Sequence, residues 1–344
     1  MKIIVTGGRG FIGSYICEKL TALGHEVHTI GRSKCKPSDT CDQKCFHHQY
    51  DLIKDTLPDK LLEGADLFFH VAAKAGVWGK YHDFYESNVT ATDNIIQYCK
   101  AYDIKRLIYT STPSVVFSGK PFSNDDESLP YGNTGLSAYA KTKAIAEGKI
   151  LAANCIGKLQ TIALRPHLVW GRGDPHLLPR VIERHRRGKL RIVGSGNNLV
   201  DLTHIKNVTH AHICAMKRMV ENETFGGKAF FIGQKEPVNL WSWLNEVFDS
   251  IGLSPVEKSI SHKKAYMIGS CLEKGLNVIQ GDANFDLNDF SDNSFSTVIL
   301  SQTIQATKFP EVVMKNLIRI GKRAIISFPN FGYWKIRKDF LFSG

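Results

Sequence analysis

Residues 2–13 read Lys2-Ile3-Ile4-Val5-Thr6-Gly7-Gly8-Arg9-Gly10-Phe11-Ile12-Gly13, and this stretch decides the fold. Residues 2–6 predict a short apolar strand, and the spacing of Ile16, Leu20 and Leu23 predicts a helix over 14–23. Gly24 ends that helix, and residues 26–30 predict a second strand. Between a strand and a helix each glycine has a mechanical reason. Gly7 lets the chain turn tightly, Gly10 lets backbone approach a pyrophosphate, and Gly13 lets helix pack on strand. Phe11 and Ile12 complete the turn, and the helix N-terminus offers free N–H groups and a positive dipole end to phosphates. The reading is a doubly wound parallel α/β sheet with a dinucleotide site.

The end of the second strand selects the dinucleotide. An NAD site usually places Asp or Glu there, accepting from the ribose hydroxyls. This chain has Gly31-Arg32-Ser33-Lys34, with two cations and no carboxylate. Arg32 can grip a 2′-phosphate by charge-assisted hydrogen bonds, so NADP(H) is expected, with NAD as the alternative.

Composition removes several classes. With 43% hydrophobic and 22% charged residues, the chain is ordinary globular material and not a disordered one. No apolar run reaches the roughly 18 to 20 residues of a membrane span, and Ile3-Ile4-Val5 is too short for a signal-peptide core. A soluble cytoplasmic protein is expected. The 8 cysteines are too scattered for a disulfide framework. Cys35, Cys41, Cys45, His47 and His48 lie close in sequence, but their spacings are looser than zinc-ligand pairs, and no metal is expected. The excess of 44 Lys+Arg over 33 Asp+Glu is sharpest at Arg180, Arg184, Arg186, Arg187, Lys189 and Arg191. This run reads as a solvated helix face. Without interleaved aromatics it does not argue for nucleic acid.

A hydroxyl cluster, Ser111-Thr112-Pro113-Ser114, follows the apolar run 106–110, and 66–71 is a second such run. Ser137 then opens a helix on which Tyr139 and Lys143 share a face. A lysine ammonium beside a phenol favours phenolate, so the spacing predicts a lowered Tyr139 pKa and an acid/base near neutrality.

These ordered motifs resemble the extended short-chain dehydrogenase/reductase family, which has a Rossmann fold. The resemblance implies that Thr112 hydrogen-bonds the substrate oxygen, Tyr139 moves the proton, and Lys143 holds the nicotinamide ribose and tunes the tyrosine. It implies that Asp51 serves the adenine side and that Ala72, Ala73 and Lys74 run beside the cofactor. Asn88 starts the next helix, and Arg165-Pro166-His167 passes the nicotinamide. The segments 109–117, 126–130, 164–175 and 198–208 are similar to the 3β-hydroxysteroid dehydrogenase branch, which includes sterol dehydrogenases and reductases of 2-alkyl-3-keto acids. The implied partner is a small apolar hydroxy or keto substrate, interconverted between secondary alcohol and ketone. A nucleotide-sugar epimerase or dehydratase is the alternative. The family's dimer bundle implies a homodimer through apolar faces at Ile95, Ile96, Cys99, Ala144, Ile145 and Leu151.

The likeness stops near Cys271. Residues 271–344 resemble the second half of MetW-type proteins, which have methyltransferase-like folds, with strands at 277–280, 297–300 and 324–328 and a helix at 310–319. Gly281-Asp282 matches an acidic strand end of that family. No D-x-G-x-G loop precedes it, so half a nucleotide site is expected and no methyl transfer. The expected organisation is a Rossmann domain over 1–165, a smaller substrate lobe over 166–268, and a truncated α/β segment over 269–344. The junction removes the last elements of the substrate lobe, which leaves a weakly active cofactor-binding protein as a further reading.

Overall fold

The computed structural model describes residues 1–34, 44–76, 79–119, 121–132, 137–175, 177–234, 236–266, 283, 286–301 and 307–327. The chain divides into two compact units, Met1–Ala265 and Tyr266–Gly344.

In the first unit the elements alternate: β1 (Lys2–Thr6), α1 (Phe11–Ala22), β2 (Glu26–Gly31), β3 (Cys45–Gln49), α2 (Asp59–Leu62), β4 (Leu67–His70), α3 (Tyr81–Tyr85), α4 (Ala91–Ala101) and β5 (Arg106–Thr110). Then come α5 (Ala138–Ala152), β6 (Gln160–Pro166), α6 (Leu178–Arg186), α7 (Ile205–Glu221), β7 (Lys228–Ile232) and α8 (Leu240–Ser250). The seven strands form one parallel sheet in the order β7-β6-β5-β4-β1-β2-β3. This is a Rossmann-type sheet, and its order reverses between β1 and β4.

Both faces of the sheet are covered, which explains why its central strands are apolar without alternation. Ile3, Val5, Val27, Phe69 and Ile162 pack with Ile16 and Leu20 of α1 and Ile213 and Met216 of α7. Ile4, Phe68, Leu107 and Tyr109, one step along each strand, pack with Ile95 and Cys99 of α4 and Ala146 and Ile150 of α5. Strand period two thus assigns each residue to a helix layer. It also corrects the dimer face: Ile95, Ile96 and Cys99 serve the sheet of their own chain, and Ala144 packs on Val115 and Val116.

α1 begins at Phe11, three residues earlier than the apolar spacing placed it, because Gly10 already serves as its cap. A smaller core joins Leu178, Val181 and Ile182 of α6 to Leu244 and Phe248 of α8. The apolar face of α6 turns inward and leaves Arg180, Arg184, Arg186 and Arg187 exposed, as a solvated face requires.

In the second unit, β8 (Val298–Ser301) pairs in parallel with β9 (Ala324–Ser327), and α9 (Pro310–Ile320) connects them, burying Val313, Leu317 and Ile320. These elements coincide with the tail strands and helix expected at 297–300, 324–328 and 310–319. The strand expected at 277–280, together with Gly281-Asp282, lies outside the described residues. So do Cys35 and Cys41.

Candidate active site

The loop after β1 sits against the loop after β4. Gly7 has φ +68°, and a Cβ there would lie 2.9 Å from the Ala72 Cα. A Cβ on Gly13 would lie 2.2 Å from the Gly7 carbonyl oxygen, so α1 reaches the strand only with glycine at this point. No side chain caps α1. Its first-turn N–H groups are therefore left for an anion, and the glycine cradle fits a pyrophosphate.

The loop after β4 is fixed from below. The Thr6 hydroxyl accepts from the Val71 and Ala72 N–H groups, both at 3.1 Å, and meets His70 Nδ1 at 2.8 Å. The other ring nitrogen of His70 meets Thr92 Oγ1 at 2.9 Å. Burial, then the Lys143 charge, lowers the His70 pKa to about 3, so its ring is a neutral strut.

Asn88 corrects one expectation. It does not start a helix: it lies in a π-helical turn, Glu86–Thr90, between α3 and α4. The widened turn lets its side chain accept from the Lys74 N–H at 2.8 Å and donate to the Lys74 carbonyl at 3.2 Å and to Thr142 Oγ1 at 3.1 Å. Such turns inside α-helices often occur at functional sites. Asn88 thus braces the loop and does not line the cavity.

A cavity of about 600 Å³ opens over the C-terminal ends of β1, β2, β4 and β5. It brings together Gly7, Gly10, Phe11, Ile12, Gly13, Arg32, Asp51, Ala72, Ala73, Lys74, Thr112, Tyr139, Lys143 and Pro166. His167 stays outside it, with a pKa lowered mainly by burial. Asp51 is on the wall, yet its Oδ1 accepts from the Ile53 N–H at 3.0 Å, closing a local turn.

Several lining residues escaped the sequence reading. Leu52 and Ile53, directly after Asp51, form an apolar wall. Arg9, between the glycines, donates to the Lys34 carbonyl and stands beside Arg32. Ser111 also lines the cavity, and its buried hydroxyl has no hydrogen-bond partner among the described residues. An unpaired polar atom there suits a polar ligand.

At the other end, Ser137 caps α5 by accepting from the Ala140 N–H at 3.1 Å. This sets the first turn, which carries Tyr139. The tyrosine is half-buried and lines the cavity together with Thr112. Lys143, one turn on, donates from Nζ to the Thr110 carbonyl at 2.6 Å and lies 4.0 Å above the Tyr109 ring.

The electrostatics reverse the expected sign. Burial pushes the Tyr139 phenol above its ordinary value, with the Thr112 hydrogen bond acting in the other direction. Burial likewise lowers Lys143 to about 7, opposed by the charge of Glu147. Spacing put the two groups on one face as expected. However, burial disfavours phenolate and ammonium alike, and it sets the direction of both shifts.

Glu147 and Arg165 form a buried ion pair one turn further along α5, with side chains 0% and 4% exposed. Arg165 donates from Nε at 3.1 and 3.2 Å and from Nη2 at 2.5 Å.

The family model for "3-beta hydroxysteroid dehydrogenase/isomerase family" matches residues 4–261. A second model, "Methionine biosynthesis protein MetW", matches residues 239–344, starting ahead of Cys271. A 2-alkyl-3-oxoalkanoate reductase of Stenotrophomonas maltophilia is 42% identical over 80% of this chain and 83% of its own. The human sterol-4-alpha-carboxylate 3-dehydrogenase, decarboxylating, is 35% identical over 73% of this chain and 66% of its own. Among solved structures, UDP-glucuronic acid 4-epimerase from Bacillus cereus in complex with NAD aligns with TM-score 0.64 and 26% identity, covering 76% of this chain and 87% of that one. The matched residues take in the glycine cradle, the Thr112-Tyr139-Lys143 group and the sheet that carries both. The chain therefore belongs to the 3-beta hydroxysteroid dehydrogenase/isomerase family and is an oxidoreductase of the extended short-chain dehydrogenase/reductase type.

Proposed function

We propose that this chain uses NADP(H) to interconvert a ketone and a secondary alcohol at C3 of an α-substituted, β-oxygenated carboxylate with an apolar body. The single observation that carries the reading is one cavity lined by Arg32 at one end and by Thr112, Tyr139 and Lys143 at the other. The names of the two relatives supply the substrate class. A 2-alkyl-3-oxoalkanoate and a sterol 4α-carboxylate bearing a 3-oxygen share one unit: a carboxylate on the carbon adjacent to the oxidised or reduced centre, on an otherwise apolar molecule.

Gly7, Gly10 and Gly13 with the N-terminus of α1 hold the pyrophosphate, and Arg32 meets the 2′-phosphate where the end of β2 offers no carboxylate. The bound nicotinamide supplies a hydride donor or acceptor. Thr112 donates a hydrogen bond to the substrate oxygen, and Tyr139 gives that oxygen its proton during reduction. Burial pushes the phenol above its ordinary value, so the group rests as a proton donor in the ligand-free pocket.

The test is reduced-nicotinamide consumption by the purified full chain with a 2-alkyl-3-oxo acid, set against product analysis with UDP-sugars, whose epimerisation consumes no net nicotinamide. Turnover of the oxo acid with NADPH is the expected result. Conversion of a UDP-sugar, with none of the oxo acid, establishes the epimerase alternative instead.

A further inference from the structure

The buried pair beside the site has no assigned role, and its position gives it one. Tyr139, Lys143 and Glu147 recur every fourth residue, so they descend one face of α5. Lys143 and Glu147 are both wholly buried. An ion pair taken out of water contributes little net stability, because desolvation cancels most of its attraction. Its place one helical turn from a buried lysine therefore calls for another account.

The groups around Lys143 supply that account. From β5, the Thr110 carbonyl accepts its proton and the Tyr109 ring lies under Nζ. The Tyr109 hydroxyl is held neutral by burial. From β4, His70 is neutral, and from α7, His212 is neutral, its pKa lowered to about 4 by burial. His212 reaches the site through Thr110 Oγ1 at 2.8 Å. On α5 itself, Tyr139 is a neutral phenol. Glu147 supplies the opposing charge. Arg165, on β6, holds Glu147 by three hydrogen bonds, rests 5.1 Å from the Phe231 ring, and leaves its Nη1 without a partner among the described residues. Tyr131 lies beside the pair, its phenol pushed up by burial and then by the Glu147 charge.

We propose that Glu147, clamped by Arg165, is a positioning residue: its carboxylate keeps Lys143 as an ammonium seated on the Thr110 carbonyl, ready to hold the ribose and support Tyr139. The proposal rests on the reading of Lys143 as part of the catalytic group. Arg165 fixes the carboxylate in place, and without that clamp Glu147 could turn away from the lysine. The arrangement is a relay of position: β6 sets Arg165, Arg165 sets Glu147, and Glu147 sets the charge of Lys143.

The test uses full-length protein carrying ¹³C-labelled lysine, titrated by NMR, with Lys143→Met identifying the resonance. In Glu147→Gln the Lys143 midpoint should fall by about one pH unit or more, an about tenfold loss of ammonium near neutrality. The alkaline limb of the kcat profile should move down with it. Glu147→Asp, which keeps the charge, should retain the wild-type midpoint. Should Glu147→Gln fail to fold, Glu147→Gln with Arg165→Gln removes both charges and strands neither; the lost Arg165 cation offsets part of the effect, so a smaller fall in the midpoint is expected. An unmoved midpoint in the neutral variants, with only thermal stability reduced, overturns the proposal. Full turnover by Lys143→Met is a separate result: it removes the reading on which the proposal stands, whatever the midpoint does.

Discussion

Replacing Lys143 by methionine should remove turnover and yet stabilise the fold. The lysine pKa falls from 10.5 to about 7 on burial, a difference worth ~5 kcal/mol against the charged form in the folded state. The group is wholly buried, so solvent screening takes nothing from this figure. Against the gain, the Thr110 carbonyl loses its donor and the Tyr109 ring its cation, together about 3 kcal/mol. Methionine fills much of the same apolar volume. The net expectation is a gain of ~2 kcal/mol at pH 6. The sign against pH follows from the direction of the shift. Because the folded pKa lies below the unfolded one, the unfolded chain binds the proton more tightly between about pH 7 and 10.5. Wild-type stability from this group therefore rises across that window, and the advantage of the variant should vanish by about pH 9. Urea unfolding of both proteins at pH 6 and pH 9 measures the two gaps. A variant less stable than wild type at pH 6, or a gap that ignores pH, refutes the reasoning.

Tyr139→Phe should lower kcat by about 10²–10⁴ while dinucleotide affinity stays within about twofold, because only the transferable proton is lost; turnover within a few-fold of wild type would show that the proton comes from elsewhere. Arg32→Ala should weaken NADPH about tenfold to a hundredfold and leave NADH unchanged, since one charge-assisted contact to the 2′-phosphate disappears; calorimetry showing equal losses for both removes Arg32 from specificity. Light scattering should give twice the 38.5 kDa chain mass, and the partner must use the faces of α4 and α5 turned away from the sheet, because Ile95, Ile96 and Cys99 are occupied. S-adenosylmethionine should give no calorimetric signal, since the second family likeness lacks the glycine loop that holds such a cofactor; micromolar binding would contradict this.

How far the sequence carried the reading depended on how local the determining interaction is. β1, β2, β5 and the α5 start were legible because strand runs, glycine spacing and the Ser137 cap are written within a few neighbouring residues. The tail elements β8, α9 and β9 were legible through the resemblance to MetW-type proteins. Asn88 was placed at a helix start by the family resemblance, and a π-helical turn leaves no apolar signature in the sequence that would have corrected it. Its purpose appears only when Lys74 and Thr142, 14 and 54 residues away, come into reach. The dimer face was misread because an amphipathic stripe declares that it will be buried but does not name the partner. Ile95 and Cys99 satisfy that stripe on their own sheet.

The reversed sign of the Tyr139 shift follows from the same limit and bears on mechanism. Spacing of four residues places a lysine next to a tyrosine, and proximity alone argues for phenolate. Burial depends on what the rest of the sheet packs around the pair, and here it makes both charged forms costly. A site built this way rests as phenol, with the lysine balanced near neutrality between its two forms. The proton needed for ketone reduction is thus already on the tyrosine before substrate arrives. Charge is wanted only on Lys143, and the one carboxylate buried on the same face of α5 stands where it can supply it. If a titration of the ligand-free protein found Tyr139 ionised near pH 7, the resting donor would have to be another group, whereas the role of Glu147 is decided by the Lys143 midpoint.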